Sequence, residues 1–440
     1  MSSNWTRYRL EELGDIVTGK TPPSKVQNAF SDSGTQFVTP RDMDGRRWID
    51  STERFLSESG VAAVKNSLIP PGSVAVSCIG SDMGKAVLLK VESVTNQQIN
   101  TLVVDTQKFN PKFVYYVLST KQAEFKSIAG GSATPILNKG HFGKFEINLP
   151  TKDEQDCLVR CLDSLDSKIE NNAQTNQTLE QIAQAIFKSW FVDFDPVKAK
   201  IEALAAGGSA DDAELAAISV ISAKTLDELN SLKASNPEAF NKLAQTAALF
   251  PAAMQDSELG EIPEGWEVKQ LKDILELAYG KALKKTDRVD GDVPVYGSGG
   301  LTGYHNQSLV EGPGIIVGRK GTVGSVYWEP KAFYPIDTVF YVKPRAGYSL
   351  KYCHLVLQNL GLKDMNTDAA VPGLNRDNAY RLDVITPTKG VMNLFKEIMQ
   401  SLQSNVDANN AQSASLESLR DTLLPKLLSG EIDLTSEVVE

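Results

Sequence analysis

Gly14-Asp15-Ile16-Val17-Thr18-Gly19-Lys20-Thr21 has the residue types and spacing of a phosphate-cradling loop. In such a loop, backbone amides at a helix start hold the phosphate and the lysine neutralises it. The context argues against that chemistry here. An amphipathic turn precedes the segment where a buried strand is required, and Pro22-Pro23 follows where the helix must begin. A second occurrence, Ile274–Ala282, keeps Gly280-Lys281 but lacks the first glycine and the threonine. What the two share is a Gly-Lys pair at equivalent loop positions. That suits contact with a nucleic-acid phosphate better than nucleotide hydrolysis.

No other segment supplies a catalyst. Gly297-Ser298-Gly299-Gly300-Leu301-Thr302-Gly303 is glycine-rich but has the wrong spacing for dinucleotide binding. Cys157 and Cys161 sit one helical turn apart, while Cys78 and Cys353 are isolated in apolar runs. None of these, nor His141, His305 or His354, has metal-ligand spacing. There is no Asn/Asp-Pro-Pro-aromatic segment for amino-methyl transfer and no nucleophile beside a base. These residues describe a reader without its own catalyst and without a cofactor of its own.

Charge alone does not point to DNA. The chain carries 45 Lys+Arg against 55 Asp+Glu, a net charge of -10. Residues 1–149, however, hold 17 basic and 14 acidic residues, and residues 263–386 hold 15 and 14. The acidity therefore belongs to the remainder, and any basic surface must be local. No run of about 18 apolar residues offers a membrane span. The opening Met-Ser-Ser-Asn-Trp lacks a basic-apolar leader, so a cytoplasmic protein is expected.

The elements that must position these loops follow from two repeated patterns. Leu158, Leu162, Leu165, Ile169, Asn172, Asn176, Leu179, Ala183, Ile186 and Trp190 step alternately by four and three, a heptad seam with a polar centre. Adding 237 gives Phe395, Met399, Leu402, Val406, Asn409, Ser413, Leu416, Arg420, Leu423 and Leu427, the same seam again. One helix cannot bury such a seam, so the two copies are expected to pair as a coiled coil. The polar pair would fix register at some cost in stability. From Glu154 to Trp190 the helix would run roughly 55 Å at ~1.5 Å per residue.

The globular parts repeat as well. Trp266–Ile274 matches Trp5–Leu13, Gly280-Lys281 matches Gly19-Lys20 at an offset of 261, and Gly312–Val317 matches Pro71–Val76. Strands are expected at Gln36–Thr39, Ser73–Ile79, Lys85–Val91 and Thr101–Val104, with short helices at Phe113–Ser119 and Tyr352–Leu357. The offset slides from 261 to 237, so the second globular copy is shorter by 24 residues. Framework is shared and loops are not, as two domains reading different targets would show.

The chain thus divides into 1–149, a β-rich domain; 150–196, a long helix; 197–262, a linker with helices at Asp212–Ile218 and Thr225–Leu232; 263–386, a second β-rich domain; and 387–440, a second long helix. The fold class is α+β, two β-rich domains separated by two long antiparallel helices, with an internal pseudo-two-fold repeat.

Leu179–Pro196 resembles the central conserved region of specificity subunits of type I restriction–modification systems. Leu423–Ile432 is similar to their closing region, and Val293–His305 resembles a recurrent segment of their target recognition domains. Ala248-Leu249-Phe250-Pro251 and Asp256–Trp266 also fit, whereas Ala203–Thr246 departs from the pattern. The resemblance implies that two target recognition domains each read half of a bipartite asymmetric site on double-stranded DNA. It implies that the helices act as a spacer ruler and dock two methyltransferase subunits, with restriction subunits outside. S-adenosylmethionine, ATP and Mg²⁺ would belong to those partners. Two rival classes are an NTPase working through Gly14–Thr21 and an adaptor whose globular parts bind protein.

Candidate DNA contacts lie on loops at matching places. In the first copy they are Lys20, Thr21, Arg41, Arg46, Arg47, Ser81, Lys85, Gln97, Gln98 and Lys139. In the second they are Lys281, Tyr296, His305, Arg319, Lys320, Asn375 and Arg376. Arg and Gln suit bases through bidentate geometry, and Lys suits phosphate. Phe187, Trp190, Phe191 and Phe194, with Leu424 and Leu428, exceed what one seam can bury and are candidates for partner binding.

Overall fold

A computed structural model describes residues 5–80, 82–128, 136–365 and 373–432. The chain divides into two compact units, Met1–Asn172 with Asn410–Glu440, and Ala173–Asn409. Each of two 40-residue helices, Lys152–Phe191 and Lys389–Leu428, contributes one half to each unit.

In the first unit, Thr6–Arg9 pairs antiparallel with Glu146–Leu149, closing the ends of the β-rich part. Gly14–Thr18 then enters a five-stranded sheet, in the order Gly14–Thr18, Ile99–Val104, Val74–Ser77, Ala86–Leu89, Trp48–Ile49. A second five-stranded sheet contains Thr35–Val38 beside Ser93–Thr95. The central strands read Val-Ala-Val-Ser and Ala-Val-Leu-Leu and are almost wholly buried, as β-branched and apolar runs without alternation should be when both faces are covered. Asn110 caps the helix Pro111–Ser119, its side-chain oxygen accepting from the backbone N–H groups of Lys112 and Phe113. Phe113, Val114, Val117 and Leu118 from that helix join Leu158, Val159, Leu162 and Leu427 of the long helices in one core.

The second unit repeats this plan. Glu267–Gln270 pairs with Asp383–Thr386. A four-stranded sheet runs Leu275–Tyr279, Val339–Pro344, Gly314–Gly318, Val326–Glu329, and a three-stranded one joins Gly300–His305, Val293–Gly297 and Tyr334–Pro335. Ser349 caps the helix Leu350–Asn359, which is inserted into the core as Pro111–Ser119 is. The five-stranded second sheet of the first unit shrinks to three strands here, which is where the shorter copy loses residues.

The seam behaves as its period requires. Leu158, Leu162, Ala183 and Trp190 are buried, as are Phe395, Met399 and Leu427. The pairing is antiparallel. In the first unit Asn172 donates to Gln412 Oε1 at 3.0 Å and to Ser413 Oγ at 3.2 Å. In the second, Asn409 donates to Asn176 Oδ1 at 2.9 Å. The polar layers therefore satisfy one another, which makes slippage by a residue costly.

The intervening region differs from the expectation at the end of the first long helix and keeps the two helices expected after it. The first long helix stops at Phe191, and Phe194 takes a left-handed backbone (φ 57°) before a new helix, Asp195–Ala205, begins. The helices expected around Asp212–Ile218 and Thr225–Leu232 are Ala210–Ser222 and Leu226–Ser235, and a further one, Pro237–Ala247, joins them. They are more than a connection. Ala217, Ile218, Leu229, Phe240 and Ala247 form a buried cluster of their own. Lys200, 2% exposed, donates to Glu214 at 2.6 Å and to the Phe250 carbonyl at 2.8 Å, tying that cluster down.

Candidate nucleic-acid interface

The Gly-Lys pairs are held identically in the two copies. Gly14–Thr18 is a strand, and its next residues turn rather than open a helix, which removes the geometry a phosphate-cradling loop requires. Gly19 N–H donates to Ile99 O and Lys20 N–H to Thr95 O at 2.8 Å. Gly280 N–H donates to Val339 O and Lys281 N–H to Pro335 O at 3.0 Å. A Cβ at Gly19 would lie 2.0 Å from Asn96 O, and one at Gly280 would lie 2.1 Å from Ile336 O. Both turns need glycine because a carbonyl at the end of another strand fills the side-chain space. Both then present an exposed lysine.

Around Lys20 the first copy gathers several expected residues. Thr21 Oγ1 donates to Gln97 Oε1 at 2.6 Å. Gln98 is anchored by Asn96, and its carbonyl accepts from Cys78 N–H. Cys78 O in turn accepts from Leu137 N–H, which brings Lys139 and its capping residue Asn138 to the same edge. Asn96 N–H donates to Val38 O, placing the exposed Arg41 nearby in sequence terms, three residues on. Arg46 is half-buried and ion-paired with Asp44 and Asp50 at 3.1 and 2.8 Å. Lys85 pairs with Asp82 at 2.9 Å. Ser81 lies outside the described residues.

The second copy converges in the same way. Lys320 bridges to Gly373, and Arg319 O accepts from Leu374 N–H. Asn375 caps the helix Arg376–Tyr380 through the backbone N–H groups of Asp377 and Asn378. Tyr296 O accepts from Ile336 N–H beside the Lys281 turn. The Tyr296 hydroxyl donates to Glu329 at 2.8 Å. Burial and that carboxylate push the phenol well above its ordinary range, so it stays protonated.

Arg47 and His305 are corrected by burial. Arg47 is 8% exposed, and its guanidinium is consumed inside the first unit. It donates to Asp163 at 2.6 Å, to Tyr116 Oη at 2.9 Å and to Glu170 through Nε and Nη2 at 3.0 and 3.2 Å. Tyr116 passes the network on to Asp166 at 2.6 Å, which also takes Arg420 at 2.9 Å. Burial opposes the Arg47 charge, but Glu170 and its neighbours outweigh that and hold the group above its usual range. His305 is 7% exposed, accepts from Val289 N–H at 3.1 Å and packs edge-on against Tyr334. Neither residue can reach a groove.

The aromatic cluster expected at a partner surface is also inside. Phe187, Trp190, Phe191 and Phe194 are 4, 3, 5 and 7% exposed. Phe191 lies 4.8 Å from Phe395, 5.6 Å from Tyr352 and 5.9 Å from Trp266 between ring centroids. The β-rich part supplies the extra cover that a two-helix seam lacks. Phe191→Ala is therefore expected to destabilise the chain by about 3–5 kcal/mol, measured by denaturant unfolding. Unfolding at wild-type stability would contradict this placement. Leu424 and Leu428 differ, being half-buried, and Leu428 lines an open groove with Val117, Thr120, Lys121 and Pro425.

One exposed group was missed. Tyr279 is 47% exposed, and the guanidinium carbons of Arg319 and Arg376 lie 4.9 and 4.8 Å from its ring centroid. Its position directly before Gly280-Lys281, where the other copy has Thr18, was the available signal. Among the described residues, no cluster of His, Cys, Asp or Glu could hold a metal ion, and no helix is long and apolar enough to cross a membrane.

Both pinned Gly-Lys turns lie in sequence segments that match one family model. The type I restriction modification DNA specificity domain matches residues 2–181 and again 263–417. The chain belongs to the type I restriction–modification DNA specificity family. The specificity subunit of the type I restriction enzyme HindI from Haemophilus influenzae is 32% identical to this chain, covering 98% of it and 100% of the relative. The MjaIX specificity subunit from Methanocaldococcus jannaschii is 23% identical over 98% of this chain and 94% of its own. In fold, the specificity chain is similar to the crystal structure of the S subunit of a type I restriction–modification system from M. genitalium. The TM-score is 0.50 at 19% identity, covering 97% of this chain and 96% of that one. The two matched segments each contain one β-rich part and the start of one long helix, so the duplication within the specificity chain is the family's own unit repeated.

Proposed function

We propose that this chain is the non-catalytic sequence-specificity subunit of a cytoplasmic type I restriction–modification assembly. Each β-rich part reads one half of a bipartite, asymmetric site on double-stranded DNA. The paired helices act as the ruler between the half-sites and dock two methyltransferase subunits, with restriction subunits outside them. S-adenosylmethionine, ATP and Mg²⁺ serve those partners. The observation that supports this reading is the duplicated Gly-Lys turn. Its backbone is the same in both copies, while its neighbours are Thr21 and Gln97 in one and Tyr279, Arg319 and Arg376 in the other. Constant phosphate anchors beside variable readers are what two different half-sites require.

Lys20→Ala is expected to weaken binding to all sequences alike and to lower the salt dependence by about one phosphate contact. Arg46→Ala is expected to relax preference in one half-site by ~1–3 kcal/mol per contacted base. Selection from random duplex DNA by the chain with its methyltransferase subunit separates the two. Identical effects would reject the division of roles, and absence of any sequence preference in the wild type would reject the reading.

A further inference from the structure

The second β-rich part presents a stack built on an exposed tyrosine at the place where the first has Thr18, Cys78 and Lys139. Tyr279 ends the strand Leu275–Tyr279, one residue before the pinned Gly280–Lys281 turn. The guanidinium carbon of Arg319 lies 4.9 Å from its ring centroid, and that of Arg376 lies 4.8 Å away. Each arginine also meets a second ring, Phe340 at 5.8 Å for Arg319 and Tyr380 at 5.7 Å for Arg376. Three elements are thus drawn together, because Arg319 follows the strand Gly314–Gly318 and Arg376 opens the helix Arg376–Tyr380.

The donors of this pair are largely unspent. Among the described residues the Arg319 side chain gives one hydrogen bond, from Nη1 to Asp337 O at 3.0 Å. Arg376 gives no side-chain hydrogen bond among the described residues; its Nε is buried, which leaves its two Nη groups as the fork a ligand could meet. Among the described residues neither forms an ion pair, whereas Arg47 uses its guanidinium on three acidic side chains and a phenol. Aromatic faces fix the plane of a guanidinium and leave its in-plane N–H groups available. A planar fork held at a loop edge matches the paired acceptors O6 and N7 of guanine in the major groove. The register identifies the counterparts in the first part. Thr18 pairs with Asn100 as Tyr279 pairs with Phe340. Cys78 O and Arg319 O accept from Leu137 and Leu374. Asn138 and Asn375 cap the helices that begin with Lys139 and Arg376. Thr18, Cys78 and Lys139 form no such fork.

We propose that Arg319 and Arg376, braced on Tyr279, read guanine in the half-site of the second β-rich part. This rests on the DNA-specificity reading above and adds the chemistry of one half-site to it. Tyr279 is a positioning residue, and the two guanidiniums are the specificity-determining ones.

The test is binding selection from randomised duplex DNA by the chain assembled with its methyltransferase subunit. Wild type is compared with Arg319→Lys, Arg376→Lys, Tyr279→Phe and Tyr279→Leu. Wild type is expected to select a bipartite site with guanine in the half that Arg46→Ala leaves untouched. Each Arg→Lys change should lower the preference for guanine there by about 10- to 100-fold, with the other half and the spacer unchanged. Tyr279→Phe keeps the ring and should behave as wild type, while Tyr279→Leu should relax the same positions. Unchanged guanine preference in both lysine variants overturns the assignment. So does uniform weakening across all sequences, which would mark phosphate contacts, or a half-site without a G·C pair. A wild type that selects no bipartite site overturns the specificity reading as well, whereas a bipartite site indifferent to these variants overturns only the stack.

Discussion

Arg47→Ala is expected to destabilise the chain by about 3 kcal/mol at neutral pH, with DNA sequence preference retained in whatever remains folded. Removing one member of a buried charge network leaves its partners desolvated and unpaired, typically a loss of ~3–5 kcal/mol. The lower end applies here because Asp163 keeps Lys112 at 2.6 Å and Asp166 keeps Arg420 at 2.9 Å. Arg47→Lys should recover little, since an ammonium cannot span both Glu170 oxygens and reach Tyr116 and Asp163. The effect should depend on pH with a definite sign. Burial alone would raise the Asp163 carboxyl, but its bonds from Lys112 and Arg47 hold it below the ordinary carboxylate range. A depressed carboxyl stabilises the folded state above its unfolded value, near 3.9, and that contribution is lost as pH falls through the lower folded value. The gap between wild type and Arg47→Ala should therefore be widest at neutral pH and narrow in acid. Denaturant unfolding at several pH values measures it. A variant of full stability with altered half-site preference would return Arg47 to the DNA surface.

Matched seven-residue insertions after Gln174 and after Ala411 are expected to lengthen the preferred DNA spacer by about three base pairs while leaving both half-sites unchanged. The two points lie inside the polar centre, between Asn172 and Asn176 on one helix and between Asn409 and Ser413 on the other. Asn172 would keep Gln412 and Ser413, and Asn176 would keep Asn409, because the seam is antiparallel. One heptad adds roughly 10 Å at ~1.5 Å per residue, against ~3.4 Å per base pair along the duplex. About three base pairs also turn one half-site by roughly 100° at ~10.5 base pairs per turn, so part of the affinity should be lost. Four residues inserted in one helix alone should be worse, since they misalign every seam position beyond the insertion. Selection with fixed half-sites and a randomised gap reads the outcome. A gap preference that stays put when both helices lengthen would mean the partner subunits, and not the helices, set the spacing.

How much was legible in the chain depends on the range of the interaction. The seam was readable from Leu158 to Trp190 because helical periodicity is local, and its second copy confirmed the partner. The doubled Gly-Lys turns were readable for the same reason. Burial was harder to infer wherever the cover comes from far along the chain. Arg47 looked like a surface base next to Arg46, yet its partners lie 69 to 123 residues away. Phe191 looked surplus to a two-helix seam because Trp266 and Tyr352 were counted with another element. His305 sat in a polar, glycine-rich run, and only the pairing of Val293 with His305 in the strand register folds it inward. Tyr279 is easily overlooked because a tyrosine ending a strand is ordinary until two arginines 40 and 97 residues further along the chain meet its ring.

The glycine turns also bear on how such a chain can change. Lys20 and Lys281 are held by main-chain hydrogen bonds and by carbonyls that exclude any side chain at Gly19 and Gly280. Little of that grip depends on the identity of the neighbouring residues. If these lysines are the phosphate anchors proposed above, positions such as Gln97, Lys139, Arg319 and Arg376 can be exchanged while the anchor, and with it general affinity for a duplex, stays in place. On that proposed division of roles, a lineage carrying this scaffold would acquire a new target word one residue at a time without passing through an intermediate that has let go of DNA.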